Sequence, residues 1–463
     1  MQIQLEKTLD VEVVERQLAE LWKQMAGGVS PGVGAEDDQF AVMRARVANL
    51  LVYVGQESSL TEVDGIIAEL TAIHPSRVLL MLGEKKKADR DIEMSVETFC
   101  QTDKRTGAKR LCCEEVTLTA RGNFVAELPS AALPLVVPDL TTFLWWRDAL
   151  ASDNESSDKV FDALLLASDR LVVDSAEFGE PQSDLLALNK LFNTKDYAHV
   201  GISDLNWARL TSWRALLAGF YDVPTYQPLL DRVDTVRIDY LAGQPAQTKS
   251  GQDEHPIGDA AIGTPLASAP SAEVAPQALL IAGWLASRLG WNLATDQPRQ
   301  ESDQTVVFNF SGKDRGISPT PGSPARQPRW GGTVREGVAP RAIKLELNRV
   351  VRADGKPGRL VRVELQSNSG QPASFAVARS ADSLHLTTEA RVDGDVQHGR
   401  VVPVRNRSAA QLLGREMEIL CNDQIYQEAI AMAARMIDHS RSPSSYDSVN
   451  LLANGDTRGF AKS

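Results

Sequence analysis

The sequence predicts an α/β protein. Its N-terminal part forms a mostly parallel sheet flanked by helices, and a C-terminal α+β domain follows with antiparallel strands and a long helix. Three observations carry this. Continuous apolar runs of strand length at residues 47–54 and 77–81 alternate with segments of helical periodicity. Unbroken apolar strands suit a sheet covered on both faces. Beyond residue 340, strand-like runs at 343–350, 359–366, 374–377 and 383–388 follow one another at the short spacing of antiparallel pairing.

In chain order, Val14, Leu18, Leu21, Trp22 and Met25 recur at helical spacing until Gly27-Gly28 ends the pattern. After the strand at 47–54, Ser58 or Ser59 caps a helix with Leu60, Val63, Ile66, Ile67 and Leu70 on one face. Pro75 closes it before the second buried strand, which makes a parallel βαβ unit. Residues 93–100 and 110–118 read as an antiparallel hairpin. A short helix before Pro138, a strand at 141–146, a helix carrying Val160, Phe161, Leu164 and Leu165, and a strand at 171–173 come next. Helices at 183–192 and 206–220 complete the alternation, and 233–241 is expected as the last strand of this region.

Composition then changes. Residues 243–275 are rich in Gly, Pro, Ala, Ser and Gln, and read as a linker or insertion. A helix is expected at 277–291, a second Gly/Pro-rich stretch at 312–340, and one long helix at about 408–437. The expected division is therefore a domain at 1–242, a linker at 243–275, a domain at 276–440 and a polar tail at 441–463.

The charge of −12 argues against a general nucleic-acid surface, because phosphate binding needs concentrated Lys and Arg. The N-terminus MQIQLEKTLD carries acids and no apolar signal core, and no run of about 18 apolar residues occurs. Four cysteines are too few for a secreted disulfide framework. A cytoplasmic protein without membrane contact is expected.

The search for chemistry returns no Gly-rich dinucleotide fingerprint, Walker loop, nucleophile elbow or zinc-protease motif. None of the six histidines is spaced with Cys or Asp as a metal ligand. The sequence assigns no catalytic, cofactor-binding or metal residue.

Candidate contacts are few. His74 and Arg77 flank a helix end, where they either hold an anion or partner, or serve as a dipole-favouring helix stop and a strand lead-in. Asp174 follows a strand's carboxyl end and either faces a cleft or caps a helix. Adjacent Trp145 and Trp146 point to opposite sheet faces, so core packing is their first role. With Arg147 they also form the kind of group that anchors a protein partner. Cys100, Cys112 and Cys113 are the redox candidates. A hairpin loop centred near Arg105-Thr106 sets Cys100 opposite residue 111, and a one-residue shift sets it opposite Cys112, within disulfide reach. Four reduced thiols, with Cys421 on a distant helix, are the alternative.

These segments resemble the glucose-6-phosphate dehydrogenase assembly protein family (OpcA), in its cyanobacterial type. The strings are HPSRVLL at 74–80, CCEEVTL at 112–118, LPLVVPDLTTFLWWRD at 133–148, DRLVVDS at 169–175, DLNWARLTSWRALLA at 204–218 and ALLIAGWLASRLGW at 278–291. They occur in order over about 44–291 and the likeness weakens beyond. The resemblance implies a non-enzymatic partner that binds glucose-6-phosphate dehydrogenase and promotes its active oligomer, supporting NADPH production in the oxidative pentose phosphate pathway. It also implies redox control through thioredoxin, which would give the cysteines a purpose. The alternative is a sugar-phosphate sensor or enzyme with Arg77, Arg147 and Asp174 in one N-terminal cleft.

Overall fold

The computed structural model describes residues 3–5, 11–27, 43–44, 46–101, 111–151, 155–242, 274–296, 298–302, 304–312, 341–352, 355–397, 399–404, 406–419 and 421–441. Nearly all of the expected linker at 243–275, the Gly/Pro-rich stretch after Gly312 and the tail after Arg441 lie outside the described residues. The chain divides into two units, one of residues 1–209 with 406–424, the other of residues 210–405 with 425–463. No helix among the described residues is long and apolar enough to cross a membrane.

The first unit is built on a nine-stranded sheet. Its strands are β1 (Ile3–Leu5), β2 (Met43–Arg44), β3 (Ala48–Val54), β4 (Ser76–Glu84), β5 (Arg90–Gln101), β6 (Leu111–Arg121), β7 (Thr142–Arg147), β8 (Arg170–Val173) and β9 (Gly201–Asp204). They lie in the order β1-β5-β6-β4-β3-β7-β8-β9, with β2 beside β6. From β6 to β9 every pairing is parallel, while β5 and β1 add antiparallel pairs at one side. Setting aside the two-residue β2, the parallel strands run 3-2-1-4-5-6 in chain order, the arrangement of doubly wound dinucleotide-binding sheets.

The apolar runs explain the central position of β3 and β4. Every residue of both strands is buried, as a strand with helices on both faces requires. The helices of this part are α1 (Val11–Gly27), α2 (Leu60–Thr71), α3 (Leu128–Ala132), α4 (Glu155–Leu166), α5 (Pro181–Phe192) and α6 (Leu205–Arg209). Val63, Ile67 and Leu70 of α2 pack with Leu50, Val52, Val78, Leu80 and Trp145 in one core cluster. Each such side chain contributes roughly 1.5–3 kcal/mol by leaving water.

The second unit holds a ten-stranded sheet. Its strands are β10 (Thr235–Leu241), β11 (Asn292–Leu293), β12 (Arg299–Ser302), β13 (Thr305–Gly312), β14 (Arg341–Val350), β15 (Leu360–Ser367), β16 (Ala373–Arg379), β17 (His385–Val392), β18 (Asp395–Val396) and β19 (Val401–Pro403). All pairings are antiparallel except β10 with β14. The strand expected to close the N-terminal region is β10, and it lies in this second sheet between β14 and β15. Its alternating Val236, Ile238 and Tyr240 need a half-covered sheet, which this largely antiparallel sheet supplies.

Helices α7 (Thr211–Tyr221), α8 (Gln227–Leu230) and α9 (Pro276–Leu289) lie on β16, β15 and β10 respectively. Pro276 stands at the start of α9, and Gly290, at φ 67°, ends it in the left-handed conformation that glycine adopts at least cost. Two expected helices are each divided. The one at 206–220 breaks after Arg209 into α6 and α7, which belong to different units, so Trp207 and Trp213 do not share a helix. The one at 408–437 is α10 (Ala409–Met417) followed by α11 (Gln424–Arg441). Ser408 and Gln411 form a reciprocal capping box at the start of α10. Residues Leu412, Leu413 and Met417 of α10 complete the core over α2.

Candidate functional site

In a sheet of order 3-2-1-4-5-6 the ligand crevice opens where the strand order reverses, here at the carboxyl ends of β3 and β7. Dinucleotide binding there requires a glycine-rich turn whose backbone meets the pyrophosphate at a helix start. After β3 this chain reads Gly55-Gln56-Glu57-Ser58-Ser59 before α2, one glycine with acidic residues on either side of the helix start.

The crevice is occupied by the protein's own side chains. A Cβ on Gly55 would lie 2.8 Å from the Asp148 carboxylate, so this glycine makes room for an acid rather than for a phosphate. Lys85 Nζ pairs with Asp148 at 3.1 Å, and Lys87 Nζ with Glu57 at 2.8 Å and Glu84 at 2.6 Å. Arg147 Nη2 bridges Glu177 at 2.6 Å and Glu62 at 3.3 Å. Burial and the nearby Asp148 raise the Tyr53 hydroxyl above its usual range, so it stays neutral.

The paired tryptophans face opposite ways, as strand geometry dictates. Trp145 lies in the core with α2 and α10, and the Arg147 guanidinium stacks 5.2 Å from its ring centre. Trp146 stacks on Tyr53 at 4.1 Å, meets Phe161 edge-on at 4.9 Å, and donates its Nε1–H to Ala149 O. Trp145 and Trp146 are 2% and 3% exposed, so both indoles are turned inward.

His74 and Arg77 have separate surroundings. His74 follows α2, with its backbone N–H donating to Leu70 O. Its ring lines a cavity of about 260 Å³ with Glu69, Ile73, Arg407, Arg415 and Glu418. The imidazole packs so closely on Gly414 that a Cβ there would lie 2.8 Å from it. Arg77 instead points into a buried network. Its Nε and Nη2 donate to Glu114 at 3.1 and 2.9 Å, and its Nη1 to Glu15 at 2.6 Å and Leu135 O at 3.0 Å. Burial works against the Arg77 charge, and Glu15 with Glu114 outweighs it. Glu114 is fully buried and also accepts from Trp22 Nε1 at 2.6 Å and from Arg46 Nη2.

The proposed cleft of Arg77, Arg147 and Asp174 does not form. Arg77 is level with Asn49 and Thr142 across the parallel strands, whereas Arg147 is level with Val54. Five residues of strand separate those levels by about 16 Å. Asp174 is at the carboxyl end of β8, where it accepts from Ala176 N and pairs with Arg209 through two bonds of 2.6 and 2.7 Å. Both positions had ordinary local readings in sequence. What sequence reasoning missed is that Arg77 pairs with Glu114, a residue 37 positions away.

The cysteines lie on the β5–β6 pair. The register sets Cys100 opposite Cys112 and Phe99 opposite Cys113. Cys112 is disulfide-bonded, while Cys113 and Cys421 are free. Cys113 faces the other side, buried, with its Sγ–H directed at Thr71 O, and burial raises its pKa. Cys112 shares its sheet face with Glu114 two residues on, and β2 pairs alongside at Arg44. The loop between Gln101 and Leu111 lies outside the described residues.

Comparison with known proteins adds the lineage. A family model described as the glucose-6-phosphate dehydrogenase subunit N-terminal domain matches residues 67–190, and one described as its C-terminal domain matches residues 200–249. A protein of Nostoc punctiforme described as an OxPP cycle protein, OpcA, is 25% identical over 378 residues, covering 80% of this chain and 67% of its own length. The chain is similar to OpcA proteins over most of its length. A second OpcA, from Synechocystis, is 26% identical over 386 residues, covering 82% of this chain and 67% of its own. The chain thus spans about two thirds of the length of these OpcA relatives. Among solved structures it is similar to a glucose-6-phosphate 1-dehydrogenase of Mycobacterium avium, at 10% identity and TM-score 0.44, covering 89% of this chain and 92% of that one. A dehydrogenase of Chromobacterium violaceum is similar at 8% identity and TM-score 0.42, covering 88% and 98%.

Proposed function

We propose that this OpcA-like chain is a non-catalytic partner that binds glucose-6-phosphate dehydrogenase and favours its active oligomer with higher substrate affinity. Similarity to the OpcA family carries the choice of partner. The crevice supports the non-catalytic part, because Glu57, Glu62, Asp148 and Glu177 stand where a dinucleotide fold needs glycines and positive potential.

The mechanism is a shift of population. A partner that binds the high-affinity state of the enzyme better than the low-affinity state raises the fraction of the former. A tenfold gain in apparent affinity needs only about 1.4 kcal/mol of differential binding. Mixing the purified chain with the dehydrogenase should give co-elution and a lower apparent KM for glucose 6-phosphate. Turnover of glucose 6-phosphate with NADP⁺ by this chain alone would overturn the non-catalytic reading.

Redox control is the finer part of the proposal, with Cys100 and Cys112 as the sensitive pair and a thioredoxin-class dithiol as reductant. Two electrons and two protons pass from the dithiol, leaving two thiols here and a disulfide on the donor. A bridge between these paired positions would tie the end of β5 to β6 beside β2 and the Glu114 network, and its reduction would free that end of the sheet. Cys113, apolar in its surroundings and raised in pKa, is the inert neighbour. A Cys112→Ser chain should activate the dehydrogenase equally with and without reductant, whereas Cys113→Ser should respond as the wild type does. Retained thiol sensitivity in Cys112→Ser sinks this assignment.

A further inference from the structure

Three arginines of the second unit have no acid paired with them among the described residues. Arg379 ends β16 on the face shared with Phe375 and Val377, at the rim of the helix-covered side of the sheet. Its Nε donates to Leu360 O at 3.1 Å, and its guanidinium lies 5.7 Å from the ring centre of Trp213 on α7. Its Nη1 is buried and has no hydrogen-bond partner. Arg359 and Arg352, on the connection between β14 and β15, are the charges that act on it, and both oppose it. No carboxylate among the described residues pairs with any of the three.

Residues 355–359 of that connection are pinned. They cross the end of β10, where Leu241 N donates to Arg359 O and Gly358 N donates to Leu241 O, both at 2.9 Å. Gly355 and Gly358 have φ of 117° and 78°, and a Cβ on Gly355 would lie 2.4 Å from Leu241 Cδ1. Arg359 is thereby held one residue from the carbonyl that anchors Arg379.

A half-buried guanidinium that keeps one nitrogen buried and unbonded, with no carboxylate beside it among the described residues, is costly, and proteins normally pair such groups. Burial, then Arg359 and Arg352, depress the Arg379 pKa to about 10, the opposite of the usual effect of a salt bridge. The fork of a guanidinium matches the oxygens of phosphate through two parallel bonds.

We propose that Arg379, Arg359 and Arg352 form an anion site for a phosphate-type dianion, either inorganic phosphate or the terminal phosphate of a small metabolite. The site is independent of the dehydrogenase-binding role, and its test uses this chain alone. Calorimetric titration of the full chain with inorganic phosphate, at constant ionic strength in chloride, should give saturable one-site binding. Glycerol 3-phosphate, titrated in parallel, distinguishes the two sources by which ligand binds more tightly. Arg379→Met and Arg359→Ala should each weaken binding at least about tenfold.

A second readout separates binding from a purely structural role. Without phosphate, Arg379→Met should melt at or above the wild-type temperature, because it removes an uncompensated charge. Phosphate should then raise the melting temperature of the wild type but not of the variant. Arg359→Ala keeps the test open if Arg379→Met does not fold. Absence of saturable binding by both ligands overturns the proposal, as does binding that survives both substitutions or a lower melting temperature for phosphate-free Arg379→Met.

Discussion

Glu114→Gln should loosen α1 and the neighbouring strands out of proportion to the single atom changed. The carboxylate is fully buried and receives Trp22 from α1, Arg46 ahead of β3 and both Nε and Nη2 of Arg77. A glutamine offers one accepting oxygen and turns an N–H donor toward the guanidinium of Arg77. Arg77 is only 3% exposed and would retain Glu15 and Leu135 O alone. Removing one partner of a buried ion pair costs about 3–5 kcal/mol. At about 1.4 kcal/mol per decade, this corresponds to roughly a hundredfold to a few thousandfold faster opening. Hydrogen–deuterium exchange over α1 and β6 measures that opening directly. Exchange within about tenfold of wild type would refute the reasoning, since the network would then contribute no more than one ordinary hydrogen bond. The double replacement Arg77→Met with Glu114→Leu should recover only part of the loss, because the Arg77 charge leaves with Glu114 while Arg46 and Trp22 still lose their acceptor.

Two further outcomes follow from other sites. Glu115 faces Glu97 across the β5–β6 pair and lies near Asp64, and burial first, then Asp64, raises its pKa from 4.5 to about 8. The folded state therefore holds an extra proton between about pH 4.5 and 8, and stability falls as pH rises through that window, by up to about 5 kcal/mol. Glu115→Gln should flatten the slope, measured by denaturation midpoints at pH 5, 6, 7 and 8, and an unchanged slope would assign it elsewhere. Gly283→Ala should lower the melting temperature, because the new Cβ would lie 2.2 Å from Ala429 O and force α9 from α11, at about 1–3 kcal/mol. An unchanged melting temperature would mean that the two helices part freely.

Much of the first sheet was legible because its signals are local. The runs at 50–54 in β3 and 78–82 in β4 are apolar at every position, a pattern that a doubly covered strand satisfies. The hairpin of β5 and β6 was legible too, and its register depended on a one-residue choice that the paired strands decided in favour of Cys100 opposite Cys112. Arg77 and Glu114 were not legible as a pair. In sequence each charged residue implies solvent, and burial becomes affordable only when the partner arrives from 37 residues away. The arginines at the rim of the second sheet share this difficulty, since β14, β15 and β16 bring them together only after pairing.

By itself the sequence determined the alternation of strands and helices, the absence of a glycine-rich phosphate turn, and the strings that resemble the OpcA family. These depend on side chains within a few residues of one another. Only the tertiary structure decided that the parallel strands take the order of a dinucleotide-binding sheet and that their crevice is filled by Asp148, Arg147 and their ion partners. It also decided that residues 406–424 rejoin the first unit and that β10 belongs to the second sheet. Strand order and long-range ion pairs depend on contacts between segments far apart in the chain, which hydrophobic periodicity does not encode.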